Sequence, residues 1–281
     1  MSKTILATAI IAALSVPTLA LAEEAAPAAP AATAEPASPL SFNVGVVSDY
    51  LFRGVSQTHG KPALQGGIDY ADPSGFYVGA WGSNITWVKD WVGKGSAEVD
   101  VYGGYKNTFG GGDFSYDVGF ITYNYPGHGS ESPGNLANPN TQEVYASLGY
   151  KWLSVKYSYA TSSHFIGWFG GANFDQSTRG SDYLELNANY DLGDGWTLIG
   201  HAGHQRVKHL SIANYSDWKI GGTKDVGFGV VGLAYSDTNA KGGSAGDPYY
   251  WGTGGSSSAA PNGNFKNVSK GTVVLSFLKT F

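Results

Sequence analysis

The side chains of this sequence that could carry chemistry are six histidines and a set of carboxylates. His201 and His204 stand three residues apart, and in a strand this spacing places two side chains on opposite faces. They are therefore a poor metal pair and a poor catalytic dyad. The sequence contains no H-E-x-x-H motif and no cysteine, so a familiar zinc signature and a thiol nucleophile are missing. We expect no catalytic residues, no cofactor and no metal site.

Composition narrows the class of protein further. The chain has 281 residues with 41 glycines, 14% aromatic residues and only 14% charged residues, against about 25% charged residues in ordinary soluble domains. Seventeen basic and 22 acidic residues give a formal charge of −5. A strongly basic nucleic-acid binder is thereby excluded.

The N-terminal segment reads as a targeting signal. Lys3 precedes an apolar stretch over 4–16, and Ala20-Leu21-Ala22 is a small-x-small cleavage site, so residues 1–22 are predicted to be a secretory signal peptide. The rest of the sequence has no run of about 18 apolar residues, so no membrane-spanning helix is predicted there. Residues 23–40 are rich in alanine and proline and are predicted to form a flexible periplasmic extension. Residues 41–281 remain as the folded domain.

Alternation of polar and apolar residues with a period of two runs along the folded domain and predicts strands. In 97–106, for example, Val99 and Val101 share one face while Glu98 and Asp100 share the other. The clearest strands are 97–106, 113–122, 143–150, 153–161 and 184–191. Less regular candidates are 42–51, 63–71, 76–87, 196–206, 215–223 and 225–237, and 271–281 closes the chain. The total is twelve.

The connections between these strands alternate strictly between short and long. Short turns are expected at 72–75, 110–112, 151–152, 192–195 and 221–224. Longer connections are expected at 52–62, 88–95, 126–142, 162–181, 207–214 and 238–270. Tight turns on one side and long loops on the other are typical of outer-membrane barrels. The sequence therefore predicts an all-β protein, a transmembrane antiparallel up-and-down β-barrel of about 12 strands in the outer membrane of a Gram-negative bacterium.

The C-terminal residues support the same class. Phe281 ends the chain, and counting back by two along the final strand reaches Phe277 and Leu275. A closing strand with a terminal phenylalanine resembles the signal read by the barrel-assembly machinery. We expect that machinery and the outer-membrane lipids as partners, and nothing in the sequence defines the oligomeric state.

Several segments resemble one known family. They are 47–58 (VSDYLFRGVSQT), 65–70 (QGGIDY), 75–84 (GFYVGAWGSN) and 98–105 (EVDVYGGY), with 201–204 and 215–219 in keeping. Together they resemble the TorF family of porin-like proteobacterial proteins over about 41–281. The resemblance implies an outer-membrane β-barrel with a channel role for small solutes or ions, and it brings no substrate or catalytic residue.

Charged residues on the polar strand faces are the candidate lumen lining. They are Asp49, Asp69, Glu98, Asp100, Lys106, Asp117, Glu143, Lys156, Glu185, Asp217 and Lys219. An excess of carboxylates favours cations in a pore, although the same charges could instead pair across strands and lock the barrel. Arg53 lies at the outer end of the first predicted strand. It could pair with Asp49 or project into the mouth, and we favour the pairing.

Two other functions stay open at this stage. Some barrels of this size are lipid hydrolases, and in that case His201 is the residue to test. Alternatively the barrel is structural or adhesive, with the long connections 162–181 and 238–270 binding a partner outside.

Overall fold

The protein is described by a computed structural model for residues 38–92, 94–127, 138–171, 173, 175–241, 252–253 and 266–281. The predicted signal peptide and residues 23–37 of the predicted extension lie outside these ranges. Within the described residues, no helix is both long enough and apolar enough to cross a membrane.

Twelve antiparallel strands form a closed barrel in the described part of the chain, which confirms the predicted fold class and strand number. The strands are β1 (Leu40–Val47), β2 (Ala63–Ala71), β3 (Phe76–Asn84), β4 (Ala97–Phe109), β5 (Phe114–Asn124), β6 (Thr141–Tyr150), β7 (Leu153–Ala160), β8 (Asp182–Gly193), β9 (Trp196–Arg206), β10 (Tyr215–Asp225), β11 (Val230–Thr238) and β12 (Thr272–Thr280).

Each strand pairs with its neighbour in sequence, and β1 pairs with β12 to close the sheet. In that closing pair Asn43 lies opposite Thr280 and Val47 lies opposite Ser276. Phe42 and Phe281 complete the seam, because each backbone N–H donates to the other's carbonyl oxygen, at 2.8 and 3.2 Å. Closure leaves the barrel with no free sheet edge, which a hydrocarbon surrounding requires.

The barrel is apolar outside and polar inside. On β4, Val99 and Val101 are exposed, whereas Glu98, Asp100 and Tyr102 are buried. The same alternation exposes large apolar side chains on the other strands, among them Val44, Leu64, Val78, Val118, Leu148, Leu186, Leu198, Ile220, Leu233 and Leu275. A water-soluble protein would bury these residues, so the outward surface is suited to lipid.

Several of the sequence-based boundaries are wrong, three of them by enough to change the local structure. β1 ends at Val47 rather than at 51, and β3 ends at Asn84 and is followed by a short helix, α1 (Trp87–Val92). The predicted turn at 221–224 lies inside β10. A Cβ atom on Gly221 would lie 2.4 Å from the carbonyl oxygen of Leu233, so this glycine allows β11 to approach rather than reversing the chain. The turn follows at 226–229.

The two ends of the barrel differ. One end has the tight turns together with the beginning of β1 and the end of β12, and the other has all the long connections. Two of the long connections contain small hairpins: Leu51–Phe52 with Val55–Ser56, and Phe169–Gly170 with Gln176–Ser177. A third pair, Gly252–Thr253 with Lys266–Asn267, lies between β11 and β12.

Candidate functional site

The first of these hairpins, Leu51–Ser56, is called the inner hairpin below because it is buried within the barrel. Leu51 and Val55 are buried, and so is Arg53 at the tip. Arg53 and Gly54 both have positive φ, 49° and 76°. Two consecutive positive φ values are the geometry of a tight two-residue hairpin turn. Sequence alternation predicts strands but not this fold-back, because each arm has only two residues.

Asp49 fastens the base of the inner hairpin. Its Oδ1 accepts a hydrogen bond from the Ser56 hydroxyl at 2.5 Å and another from the Gly60 backbone N–H at 3.2 Å. Burial raises the pKa of Asp49, and the hydrogen bonds from Ser56, Thr58 and Gly60 partly oppose that rise. Asp49 therefore lies in a loop rather than in a strand, and its hydrogen bonds stabilise that loop.

Arg53 joins the tip of the inner hairpin to the barrel wall. Its Nη2 lies 2.7 Å from Oε2 of Glu143 on β6, and its Nη1 donates to Oε1 of Gln205 on β9 at 2.7 Å. A second bond from Nη1 to Glu143 Oε1, at 3.2 Å, makes the ion pair bidentate. Burial, the largest single influence, lowers the pKa of Arg53, but the charge and hydrogen bond of Glu143 together with Tyr123 and Tyr183 outweigh it, and the net pKa is raised. The expected pairing of Arg53 with Asp49 is therefore wrong, because Glu143 takes the guanidinium.

Gly54 brings the tip against the opposite part of the wall. A Cβ atom on Gly54 would lie 2.6 Å from Cγ2 of Thr238 on β11 and 2.8 Å from Cβ of Asp217 on β10. The inner hairpin thus starts after β1 and reaches β6, β9, β10 and β11. It occupies the lumen below the long connections.

The predicted lumen residues of the strands all lie on the inward-facing positions, and most are buried. Asp69, Glu98, Asp100, Asp117, Glu143, Asp217 and Lys219 are buried, and Lys106, Lys156 and Glu185 are partly buried. Phe281 and Leu275 of the closing strand are exposed on the outside, and Phe277 is partly exposed beside Phe228.

Most of the inward carboxylates have a partner. The Tyr102 hydroxyl donates to Asp69 at 2.5 Å, and the Tyr77 hydroxyl donates to Asp117 at 2.7 Å. Lys156 lies 3.9 Å from Glu185. These contacts correspond to the second of the two interpretations of the sequence, in which the lumen charges pair across strands rather than face a pore. The tyrosines that supply many of these contacts were not predicted as lumen residues, although the alternation along the strands places them on the inward face.

His201 belongs to the same network. Its Nε2 lies 2.9 Å from both Asp217 Oδ1 and the Tyr183 hydroxyl, and its Nδ1 lies 2.6 Å from Asn187 Oδ1. His204 is exposed on the outer face, beside Ser216. The two histidines thus lie on opposite faces, and His201 is enclosed in the lumen.

Glu98 and Asp100 form the exception to this pairing. They are 2% and 0% exposed, yet Oε2 of Glu98 and both carboxylate oxygens of Asp100 have no hydrogen-bond partner among the described residues. The buried Tyr50 hydroxyl, directly before the inner hairpin, lies beside Glu98 and has no other hydrogen-bond partner among the described residues.

A cavity of about 90 Å³ lies between the inner hairpin and the wall formed by β1 and β9 to β12. Its lining includes Asn43, Gly45, Asp49, Trp81, Lys219 and Ser276. Glycine and serine on β1, β11 and β12 leave this side of the lumen less filled than the tyrosine-rich side.

A closed barrel with an apolar exterior and a charged, hydrogen-bonded interior defines the class as a membrane-type β-barrel. The chain belongs to the Gcw_chp family, described as a bacterial protein of unknown function, whose model matches residues 31–258. No curated protein matches it. Among solved structures, the KdgM porin is similar with 9% identity and a TM-score of 0.49, over 86% of this chain and 99% of that chain. The NanC porin is similar with 11% identity and a TM-score of 0.48, over 85% and 98%.

Proposed function

We propose that this protein is an outer-membrane, porin-like channel that passes small hydrophilic solutes or ions by diffusion, as its resemblance to the TorF family implies. The observation that carries the proposal is the closed twelve-strand barrel with lipid-suited side chains outside and charged side chains inside. Such an interior is costly to enclose without water or ions, and it gives hydrophilic solutes a compatible path.

The width of the path points to small solutes. Eight-stranded barrels are filled by their side chains and barrels of 16 or more strands leave an aqueous channel, so twelve strands leave an intermediate lumen. The inner hairpin fills part of that lumen, beside the cavity of about 90 Å³. Passage of anything larger than an ion requires the hairpin to shift.

The charges of the lumen favour cations. Eight inward carboxylates (Asp49, Asp69, Glu98, Asp100, Asp117, Glu143, Glu185 and Asp217) stand against four bases (Arg53, Lys106, Lys156 and Lys219). Two of the carboxylates, Glu98 and Asp100, have no basic partner among the described residues. Unpaired negative charge attracts cations and repels anions.

Single-channel recording in a planar bilayer tests this function. The protein is expected to give steady ohmic openings in potassium chloride, and a salt gradient is expected to give a cation-biased reversal potential. A chelator is included so that divalent ions do not mask the carboxylates. A folded barrel that never conducts, or one that prefers anions, would contradict the proposal.

The second candidate is a closed structural or adhesive barrel, favoured by the latch that Arg53 forms with Glu143 and Gln205. Absence of conductance both in the wild type and in variants that release this latch would support it. A lipid hydrolase fits less well, because the His201 side chain is 1% exposed and points into the lumen, away from the lipid-facing surface.

A further inference from the structure

Glu98 and Asp100 are neighbouring inward carboxylates of β4 that form no ion pair with a basic side chain among the described residues. Their residues are 2% and 0% exposed, and three of their four oxygens are buried without a hydrogen-bond partner among the described residues. Burying an ionised carboxylate costs several kcal/mol unless a charge or hydrogen bonds compensate. Here two such carboxylates lie two positions apart on the same face of β4.

The other lumen carboxylates show what compensation looks like in this barrel. Glu143 has Arg53, Glu185 has Lys156 and Asn187, and Asp217 has His201 and Tyr183. Asp49, Asp69 and Asp117 each accept hydrogen bonds from hydroxyl groups. Against six partnered carboxylates, the pair on β4 stands out, because the described residues supply no counter-charge for it.

Tyr50 points into the same place. It is 1% exposed, and its buried hydroxyl lies beside Glu98, with no hydrogen bond to any other described residue. Burial raises its pKa, and the negative charges of Glu98 and Asp100 raise it further, which marks these two carboxylates as charges close to the hydroxyl. Tyr50 therefore stays neutral and offers an oxygen lone pair. Its ring is held edge-on against Trp81, with centroids 5.6 Å apart.

We propose that Glu98, Asp100 and the hydroxyl of Tyr50 bind one hard divalent cation, and that Ca²⁺ is the ion that fits. Two carboxylates and a phenol present only oxygen, which hard cations prefer. A doubly charged ion neutralises the pair completely. Binding of the ion can be measured without conduction, so it is tested independently of the channel function.

The chemistry of the site argues against other metals. The described residues place no set of three or more His, Cys, Asp or Glu side chains around one metal ion, so the proposed ion has two carboxylates only. Without His or Cys the site lacks the ligands typical of zinc. Mg²⁺ keeps several waters in a near-ideal octahedron. Ca²⁺ accepts bidentate carboxylates in flexible geometry, so Glu98 and Asp100 can supply up to four of its oxygen ligands and Tyr50 a fifth, with water completing the set.

Such an ion would give the inner hairpin a second anchor. Tyr50 directly precedes the hairpin, whereas Glu98 and Asp100 belong to the wall. The Arg53–Glu143 pair anchors the tip to β6, and the cation would anchor the base to β4.

Terbium luminescence tests the site on the protein purified from membranes in detergent and treated with a chelator. Tb³⁺ is a hard-cation probe for Ca²⁺ sites, and the nearby Tyr50 and Trp81 rings can sensitise it. We expect one saturable Tb³⁺ site, displaced by Ca²⁺ at much lower concentration than by Mg²⁺. We also expect Ca²⁺ to raise the unfolding temperature of the wild type.

The decisive variant is the double substitution Glu98→Gln with Asp100→Asn, which keeps side-chain shape and removes both charges. It is expected to lose the Tb³⁺ signal and the Ca²⁺-dependent stabilisation, whereas Asp117→Asn, the matched lumen control, is expected to keep both. Tyr50→Phe removes the hydroxyl and leaves Trp81 as the nearby Tb³⁺ sensitiser. It is expected to weaken Ca²⁺ binding, which covers the case in which the double variant fails to fold.

Two results would overturn the proposal. One is the absence of saturable Tb³⁺ binding in the wild type, together with an infrared carboxylic-acid band that disappears in the double variant; this would mean that the pair holds protons. The other is Tb³⁺ and Ca²⁺ binding that is unchanged in the folded double variant, which would place the cation elsewhere.

Discussion

Arg53 and Glu143 are 90 positions apart in the sequence, yet they form a bidentate ion pair inside the barrel, with Nη2 and Oε2 2.7 Å apart. Their side chains are 7% and 1% exposed. This pair fixes the tip of the inner hairpin to β6, and Gln205 adds a contact to β9. Whether the lumen is open or narrowed therefore depends on a contact between a loop and the wall.

Breaking this pair from one side leaves a buried charge. Arg53→Ala is expected to lower the free energy of unfolding by about 3–5 kcal/mol, because the Glu143 carboxylate then has no counter-charge. The variant is also expected to conduct more than the wild type, since the hairpin tip is released. Thermal unfolding and single-channel recording measure the two effects.

The matched control is Arg206→Ala. Arg206 pairs with Asp182, but its side chain is 50% exposed, so its loss is expected to cost less than about 1 kcal/mol. The double variant Arg53→Met with Glu143→Gln is expected to regain much of the stability, because no unpaired charge remains. Equal destabilisation by Arg53→Ala and Arg206→Ala would show that the buried pair has no special role.

Gly54 and Gly60 form a second matched pair. Both have positive φ, 76° and 72°, but a Cβ atom on Gly54 would collide with Thr238 and Asp217, whereas one on Gly60 meets nothing within 4 Å. Gly60→Ala is expected to cost only the backbone penalty of about 1–2 kcal/mol. Gly54→Ala adds the collision, so it is expected to be less stable and to conduct more. Identical stability and conductance in the two variants would contradict the described position of the hairpin tip.

The sequence predicted the barrel well and the inner hairpin poorly. Alternation such as that of Glu98, Val99, Asp100 and Val101 depends only on which face meets lipid, so strand identity and inward phase can be read locally. The hairpin arms have two residues each and show no period, and the turn uses Arg53 at positive φ, a residue that gives no turn signal. The partner of Arg53 depends on how distant strands come together in space, which spacing along the chain does not encode.

Asp49 gives a prediction about pH. Burial raises its folded-state pKa above the unfolded value, so its protonated form is favoured in the fold. Below the pKa of Asp49 in the unfolded state, burial of this side chain costs the fold least. As the pH rises from that pKa to the higher pKa of the folded state, the free energy of unfolding decreases. Asp49→Asn is expected to remove this pH-dependent loss, since the Asn oxygen can still accept from Ser56 and Gly60. Unfolding temperatures measured across the acidic range detect the difference.

The control for this prediction is Asp49→Ala, which removes the acceptor as well as the charge. It is expected to be less stable than Asp49→Asn at every pH, because the Ser56 hydroxyl loses its acceptor and the Gly60 N–H keeps only its bond to Ser56 Oγ. If Asp49→Asn kept the full pH dependence of the wild type, the dependence would have to come from another group.

Phe281 combines two roles that can be separated. Its backbone closes the seam with Phe42, and its side chain, 67% exposed, is the proposed assembly signal. Phe281→Ser keeps the backbone bonds, so it is expected to refold normally into lipid but to reach the outer membrane in low yield. Deletion of Phe281 is expected to impair both refolding and yield. Phe228→Ser is the control, because Phe228 is equally exposed, at 66%, at the same end of the barrel but lies in a turn. Normal outer-membrane yield of Phe281→Ser would show that the assembly machinery does not depend on this ring, and normal refolding of the deletion variant would show that the Phe42 bonds are dispensable for closure.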